Sequence, residues 1–305
     1  MQAEVILASL NQEMPDEAPL VTMRLRYPRF IHAEVMTHRV FGRNARSSRA
    51  VPVKRMIEEI EENPVVPWHW GKNQRGMQAD TECDAKVLID WDHEIGHENW
   101  VAREDAWREA RDHAVRIARG FSDAGYHKQV VNRLLEPFMW IDVLITANRW
   151  QNFLWLRDHK DAEPHLRDLA VLVKRALGDA EMQNLAPGYW HLPYIAPEEY
   201  RNGSWKNFEE RVEFLSKISA ARCARISYTP FDGDASYERE LERYNMLVTS
   251  ERVHASPLEH QAMPDECVLC PTTGARERWM NPEKHGNLPG WIQARKLVPN
   301  EAKHG

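Results

Sequence analysis

The amino-acid pattern predicts an α+β protein, and three observations lead there. Several segments repeat apolar residues at helical spacing, and one segment near the start reads as a strand. The 305 residues, 43% of them hydrophobic, suffice for one large core, with no repeat or long linker to divide it. A single unit over 1–305 is expected.

Taken in order, the clearest strand is 20–26, where Leu20, Met23 and Leu25 alternate approximately and Pro28 ends the run. A helix is predicted over 29–41 with Ile31, Val35 and His38 on one stripe, and another over 52–62 beginning at Pro52. Ala106, Ala110, Ala114 and Ile117 place a helix over 103–119 before Gly120. Past Pro137, Ile141, Leu144, Ile145, Asn148, Asn152 and Trp155 recur at helical spacing, which predicts a helix with two amides on an apolar face. Buried amides need partners, so Asn148 and Asn152 either bridge helices or bind something polar and flat. Helices over 164–177, opened by Pro164 and closed by Gly178, and over 207–225 and 235–250 complete the reading.

Charge and composition exclude several classes. The net charge is −6, whereas a nucleic-acid-binding module normally carries a basic balance throughout. No apolar run reaches the length of about 18 residues that spans a bilayer, and the first residues lack a basic leader, so a cytoplasmic protein without membrane or nucleic-acid partners is expected. The four cysteines, Cys83, Cys223, Cys267 and Cys270, are too scattered for a disulfide framework. Cys267 and Cys270 have metal-ligand spacing but would need His254, His260 or Cys223 to complete a zinc site, so no metal is expected.

Residues 37–49 hold Arg39, Arg43, Arg46 and Arg49 with His38, Ser47 and Ser48. Guanidinium forks and hydroxyls in this density suit a phosphate dianion, and a solvated basic loop is the plain alternative.

These residues resemble a known family, the flavin-dependent thymidylate synthases. That family's signature reads Arg-His-Arg, two residues, Ser, one residue, Asn-Glu, one residue, Ser, one residue, Arg, and His38, Arg39, Asn44, Ser47 and Arg49 match its spacing. Arg133 before Pro137 resembles the family's next arginine, and Asn152-Phe-Leu-Trp-Leu-Arg157 its Asn-Phe-Leu-x-Leu-Arg element. Ala220-Ala221-Arg222 through Ser227-Tyr228 and His254-Ala-Ser-Pro-Leu-Glu-His260 resemble segments that open the family's chains, yet here they come late. The order is circularly permuted, which a fold tolerates when its ends lie close together at the surface. The matches cover roughly 20–60, 125–177 and 216–263, leaving an insertion at 64–100 and an extension at 264–305. Trp68, Trp70, Trp91, Trp100, Trp279 and Trp291 fall in those unmatched parts, where they either cover an edge or subunit contact or stack on bases.

The resemblance implies a twisted, mainly antiparallel sheet with flanking helices, assembled as a homo-oligomer, a tetramer in the family. It implies a methyltransferase of dTMP biosynthesis that moves a one-carbon unit from methylenetetrahydrofolate to C5 of dUMP, using FAD recharged by NADPH and no cysteine nucleophile. By carry-over, Ser47, Ser48, Arg49 and Arg133 hold the deoxypyrimidine monophosphate, with Glu34 near it, and Arg157 contacts the ring as the catalytic residue. His38, Arg39, Asn44, Asn152, His254 and Ser256 line the flavin site, Ser227 lies near its phosphates, and Asn148 or Arg149 replaces an Asn-x-Arg pair. Thr37, Gly42, Ala45 and Glu34 depart from the family's arginine, serine, glutamate and glutamine. Arg43 and Arg46 are placed to compensate for the missing arginine. Those departures leave open a dCMP substrate, a hydroxymethylated product, or a nucleotide-binding relic without catalysis.

Overall fold

The computed structural model describes residues 1–92, 97–201, 205–226, 233–248, 253–274, 276–299 and 301–302. It is an α+β structure built on a five-stranded sheet of β1 (Gln2–Asn11), β2 (Leu20–Pro28), β3 (Gly42–Ala45), β4 (Trp140–Ala147) and β5 (Gln183–Leu185). The order is β3-β4-β2-β1-β5, antiparallel except where β5 joins β1 in parallel.

Both faces of this sheet are covered. On one, Val21, Met23, Leu25, Val143 and Ile145 pack against Phe153 of the helix Gln151–Arg157 and Leu166, Leu169 and Val173 of the helix Pro164–Gly178. On the other, Leu144 meets Tyr194, Cys223 and Ile226 at the end of the helix Phe208–Arg225. Double burial explains the weak alternation of β2: Leu20, Val21, Thr22 and Met23 are all fully buried. A second core joins the helix Val53–Glu62, the helix Arg103–Asp123 and the 3-10 turn Asn132–Phe138.

Two predicted helices are corrected. The span after Pro137 is the strand β4 followed by the short helix Gln151–Arg157, so Asn148 and Asn152 share no helical face. A run of buried apolar residues in a central strand has no periodicity to separate it from a helix. The span 29–41 is a 3-10 turn and one helical turn ending at Val35, followed by turns into β3. The helices over 52–62, 103–119, 164–177, 207–225 and 235–250 form within a few residues of their expected ends.

A polar chain runs through the interior between β1, β2, β4 and the late segments. Ser9 Oγ lies 2.7 Å from His191 Nδ1, His191 Nε2 lies 2.8 Å from Thr22 Oγ1, Thr22 Oγ1 lies 2.6 Å from Thr146 Oγ1, and Thr146 Oγ1 lies 2.8 Å from His260 Nδ1. All five residues are fully buried. Burial pushes both imidazoles down to about 3, so they are neutral links in this chain.

Candidate functional site

Segments far apart in sequence meet beside β3 and β4. Arg157, the last residue of its helix, donates from Nε to His38 Nε2 at 2.9 Å and from Nη2 to Thr37 Oγ1 at 3.0 Å. Accepting at Nε2 requires a neutral imidazole with its proton on Nδ1. His38 is such a group: burial, then the Arg157 and Arg43 charges, lower its pKa to about 4. Its ring is held edge-on by Phe153 at 4.9 Å. Thr37, standing where the family pattern has an arginine, therefore orients Arg157, and its own hydroxyl donates to Glu34 O at 2.6 Å.

Arg43 links this group to the late segment. Its Nη1 donates to Met36 O at 2.7 Å and to His38 O at 3.4 Å, and its backbone N–H donates to Glu259 Oε2 at 3.3 Å. Gly42 permits that approach, because a Cβ there would sit 3.2 Å from Glu259 Cβ and from Glu259 O. Glu259 also pairs with Arg295, whose Nε lies 2.6 Å from Glu301, and Lys296 Nζ lies 2.5 Å from Glu301. Arg39, Arg43, Arg295 and Lys296 line a cavity of about 280 Å³ in which Glu259 is the one lining carboxylate. Its donor set suits an anion, and its volume, just below the range of about 300–1,000 Å³ for ligand pockets, suits a phosphate or diphosphate and not a whole dinucleotide.

The amide of Asn44 caps the end of the helix Phe208–Arg225, donating to Cys223 O at 2.8 Å and Ala224 O at 3.1 Å. Ser256 Oγ lies 3.5 Å from Asn44 Oδ1. Just beyond this cap, Ile226 has φ of +59°, a left-handed conformation that a β-branched residue adopts only under constraint. Arg222, in the Ala-Ala-Arg segment, is buried and bidentate to Glu199 at 2.7 and 2.8 Å, an anchor for this helix.

A second group forms around Glu136 in the turn Asn132–Phe138. Its carboxylate accepts from Ser48 Oγ at 3.0 Å and from Arg133 Nη1 at 3.2 Å. Ser47 Oγ accepts from Arg49 N at 3.3 Å, and both residues are exposed at the adjoining turn. Buried Asn132 ties the two segments together, donating to Ser48 O at 2.7 Å and Val51 O at 2.9 Å.

Asn148 is buried and donates to Pro289 O at 2.8 Å while its Oδ1 has no partner. Arg149, Asn152 and His254 are exposed. Ser227 lies outside the described residues. Arg46 does not replace the missing arginine, because Glu59 holds it bidentately at 2.9 and 3.0 Å. Among the described residues no His, Cys, Asp and Glu cluster suits a metal ion, and Cys267 lies in a surface hairpin with Arg276–Trp279. Trp291 is 1% exposed and belongs to the core, whereas Trp68 and Trp100 are 39% and 48% exposed. Sequence reasoning missed Glu136, Arg295 and Lys296, which lie outside any recognisable motif. Glu259 was visible as the acid of the late His-to-His segment.

No family model and no curated protein matches the chain. Among solved structures, the flavin-dependent thymidylate synthase ThyX of Helicobacter pylori, in complex with FAD and dUMP, is similar at 15% identity and a TM-score of 0.34. The match covers 53% of this chain and 70% of that one. A likeness of this strength carries no argument about the site.

Proposed function

We propose that the chain is a flavin-dependent enzyme of the thymidylate synthase type, transferring a one-carbon unit from methylenetetrahydrofolate to C5 of a deoxypyrimidine monophosphate, with NADPH as reductant. The observation that carries this reading is convergence: Thr37, His38 and Arg43 of the arginine segment touch Arg157 on one side and Glu259 on the other. The permuted order is supported by Leu20 and Ala262 sharing one buried cluster, which brings the end of the late segment to the start of β2.

The residues fit a flavin nucleotide in two respects. The cavity lined by Arg39, Arg43, Arg295 and Lys296 offers cationic donors for its phosphates, and Asn148 Oδ1 is a buried acceptor in want of a donor. Flavin supplies hydride chemistry when bound. The chain supplies charge and orientation: Arg157 keeps its proton at any working pH, so near the pyrimidine it stabilises negative charge developing on the ring. Neutral His38 and Thr37 fix the guanidinium plane from behind. Ser47, Ser48, Arg49 and Arg133 take the substrate phosphate, with the homo-oligomer of the resemblance completing the site.

A second substrate reading has its own observation. Glu34 Oε2 is buried without a hydrogen-bond partner, and a carboxylate oxygen in that state suits the exocyclic amine of a cytosine, which favours dCMP.

The test is mass analysis of dUMP and dCMP after incubation with the protein, FAD, NADPH and methylenetetrahydrofolate. Gain of one methyl group on dUMP is expected; gain on dCMP, as methyl or hydroxymethyl, selects the second reading. No change in either nucleotide contradicts both.

A further inference from the structure

Ser48, Arg133 and Arg29 aim at a single atom. Ser48, 5% exposed, donates to Glu136 Oε1 at 3.0 Å, Arg133 Nη1 donates at 3.2 Å, and Arg29 Nη2 lies 3.5 Å from the same oxygen. The hydroxyl and two guanidinium groups come from three separate segments, the turn after β3, the turn Asn132–Phe138 and the turn Arg29–Ile31. The Glu136 side chain remains 21% exposed, so this cluster is not sealed in the core. Lys128 Nζ, donating to Ala50 O at 3.0 Å, adds a cation beside the same loop.

A phosphate oxygen makes the same hydrogen bonds as a carboxylate oxygen, with more charge and two further oxygens for the guanidinium forks. We propose that Ser48, Arg29 and Arg133 form a seat for a phosphate monoester, that Arg29 is one of its binding residues, and that Glu136 is its built-in occupant, displaced when the phosphate enters. This rests on the reading that Ser48 and Arg133 face the nucleotide phosphate. The exchange replaces one negative charge by two, so the seat favours a monoester dianion over a diester or a carboxylate, and Glu136 sets how tightly it is held.

The experiment is calorimetric titration of the full chain with inorganic phosphate, then with dUMP and with uncharged deoxyuridine, in the absence of flavin and folate. Glu136→Gln is expected to bind phosphate about tenfold more tightly, because a like charge next to the incoming anion is removed. Arg29→Gln and Arg133→Gln are expected to bind it at least about tenfold more weakly, and deoxyuridine affinity stays unchanged in all three. Glu136→Asp, which keeps the charge but draws it back by one methylene, moves affinity in the same direction as the glutamine variant and by less, and it serves if Glu136→Gln does not fold. Phosphate affinity that is unchanged or weaker in the Glu136 variants overturns the proposal, as does absence of phosphate binding throughout. A chain that binds phosphate as expected but alters no nucleotide defeats the proposed reaction and leaves this seat standing.

Discussion

Two polar networks cross this molecule, and they differ in kind. The chain Ser9–His191–Thr22–Thr146–His260 is fully buried, uncharged and linked at 2.6–2.8 Å throughout. The network beside β3 is half-exposed and mixes ion pairs with neutral hydrogen bonds: Arg157 reaches Thr37 and His38, the Arg43 backbone N–H and the Arg295 guanidinium reach Glu259, and Ser48 and Arg133 reach Glu136. The first behaves as part of the core, where every linking atom has a hydrogen-bonding neighbour and His260 Nε2 alone at the chain's end has none. In the second, four cationic side chains and one carboxylate line the cavity, and Glu34 Oε2 lacks a hydrogen-bond partner.

Substitutions separate the two. The largest expected effect is on chemistry alone: Arg157→Ala lowers kcat by on the order of 10²–10³ while retaining bound flavin, read by steady-state turnover and visible absorbance. Equal loss of flavin and turnover would make Arg157 part of the cofactor site instead. Thr22→Val strips a partner from both His191 and Thr146, and thermal or urea unfolding should show a loss of about 1–3 kcal/mol with kcat unchanged. A fall in kcat without a fall in stability would place the inner chain in the catalytic apparatus.

Acid sharpens the same contrast. His32 and His38 have pKa values lowered to about 4, and His191 and His260 to about 3, in each case first by burial, from 6.5. Below 6.5 the unfolded chain binds protons that the folded chain does not, so stability present at neutral pH drains away as pH falls from 6.5 toward 3. The slope is on the order of 1 kcal/mol per pH unit for each such histidine. Denaturant midpoints across this window test it, and a flat profile would mean the imidazoles titrate normally. The smallest expected effect is at Cys270, a half-buried thiol bonded to Thr272 Oγ1 at 3.1 Å, with its pKa lowered to about 7 first by that bond and then by its bond with Thr273. Cys270→Ser should leave turnover and melting temperature unchanged, and a loss of either would call for a role for this hairpin.

Much of the fold was legible where periodicity is unambiguous. The helices Pro164–Gly178 and Phe208–Arg225 carry capping residues, the first with a one-sided apolar stripe and the second with Val212, Leu215 and Ile218 at helical spacing, and both form nearly as expected. β4 was not legible, because Ile141 and Val143 through Ala147 are buried on both faces of an interior strand and read as readily as a helix. In the site, the segments themselves were visible but their internal wiring was not. Four clustered arginines suggested one grip, whereas Arg46 turns to Glu59, Arg43 to backbone carbonyls and Glu259, and Arg39 to a cavity shared with Arg295 and Lys296. Such divisions depend on partners up to about two hundred residues away, which no local pattern records.

The central claim is that one site draws on the arginine segment, Arg157 and the late histidine-serine turn together. Titration of the chain with FAD, followed by flavin fluorescence, tests it most directly, with Arg39→Ala, Arg157→Ala and Ser256→Ala compared with the unaltered protein. The account predicts saturable quenching in the unaltered chain, weaker binding in the Arg39 and Ser256 variants, and a changed bound-flavin spectrum with retained binding in the Arg157 variant. Absence of flavin binding, or variants indistinguishable from the parent, would contradict it.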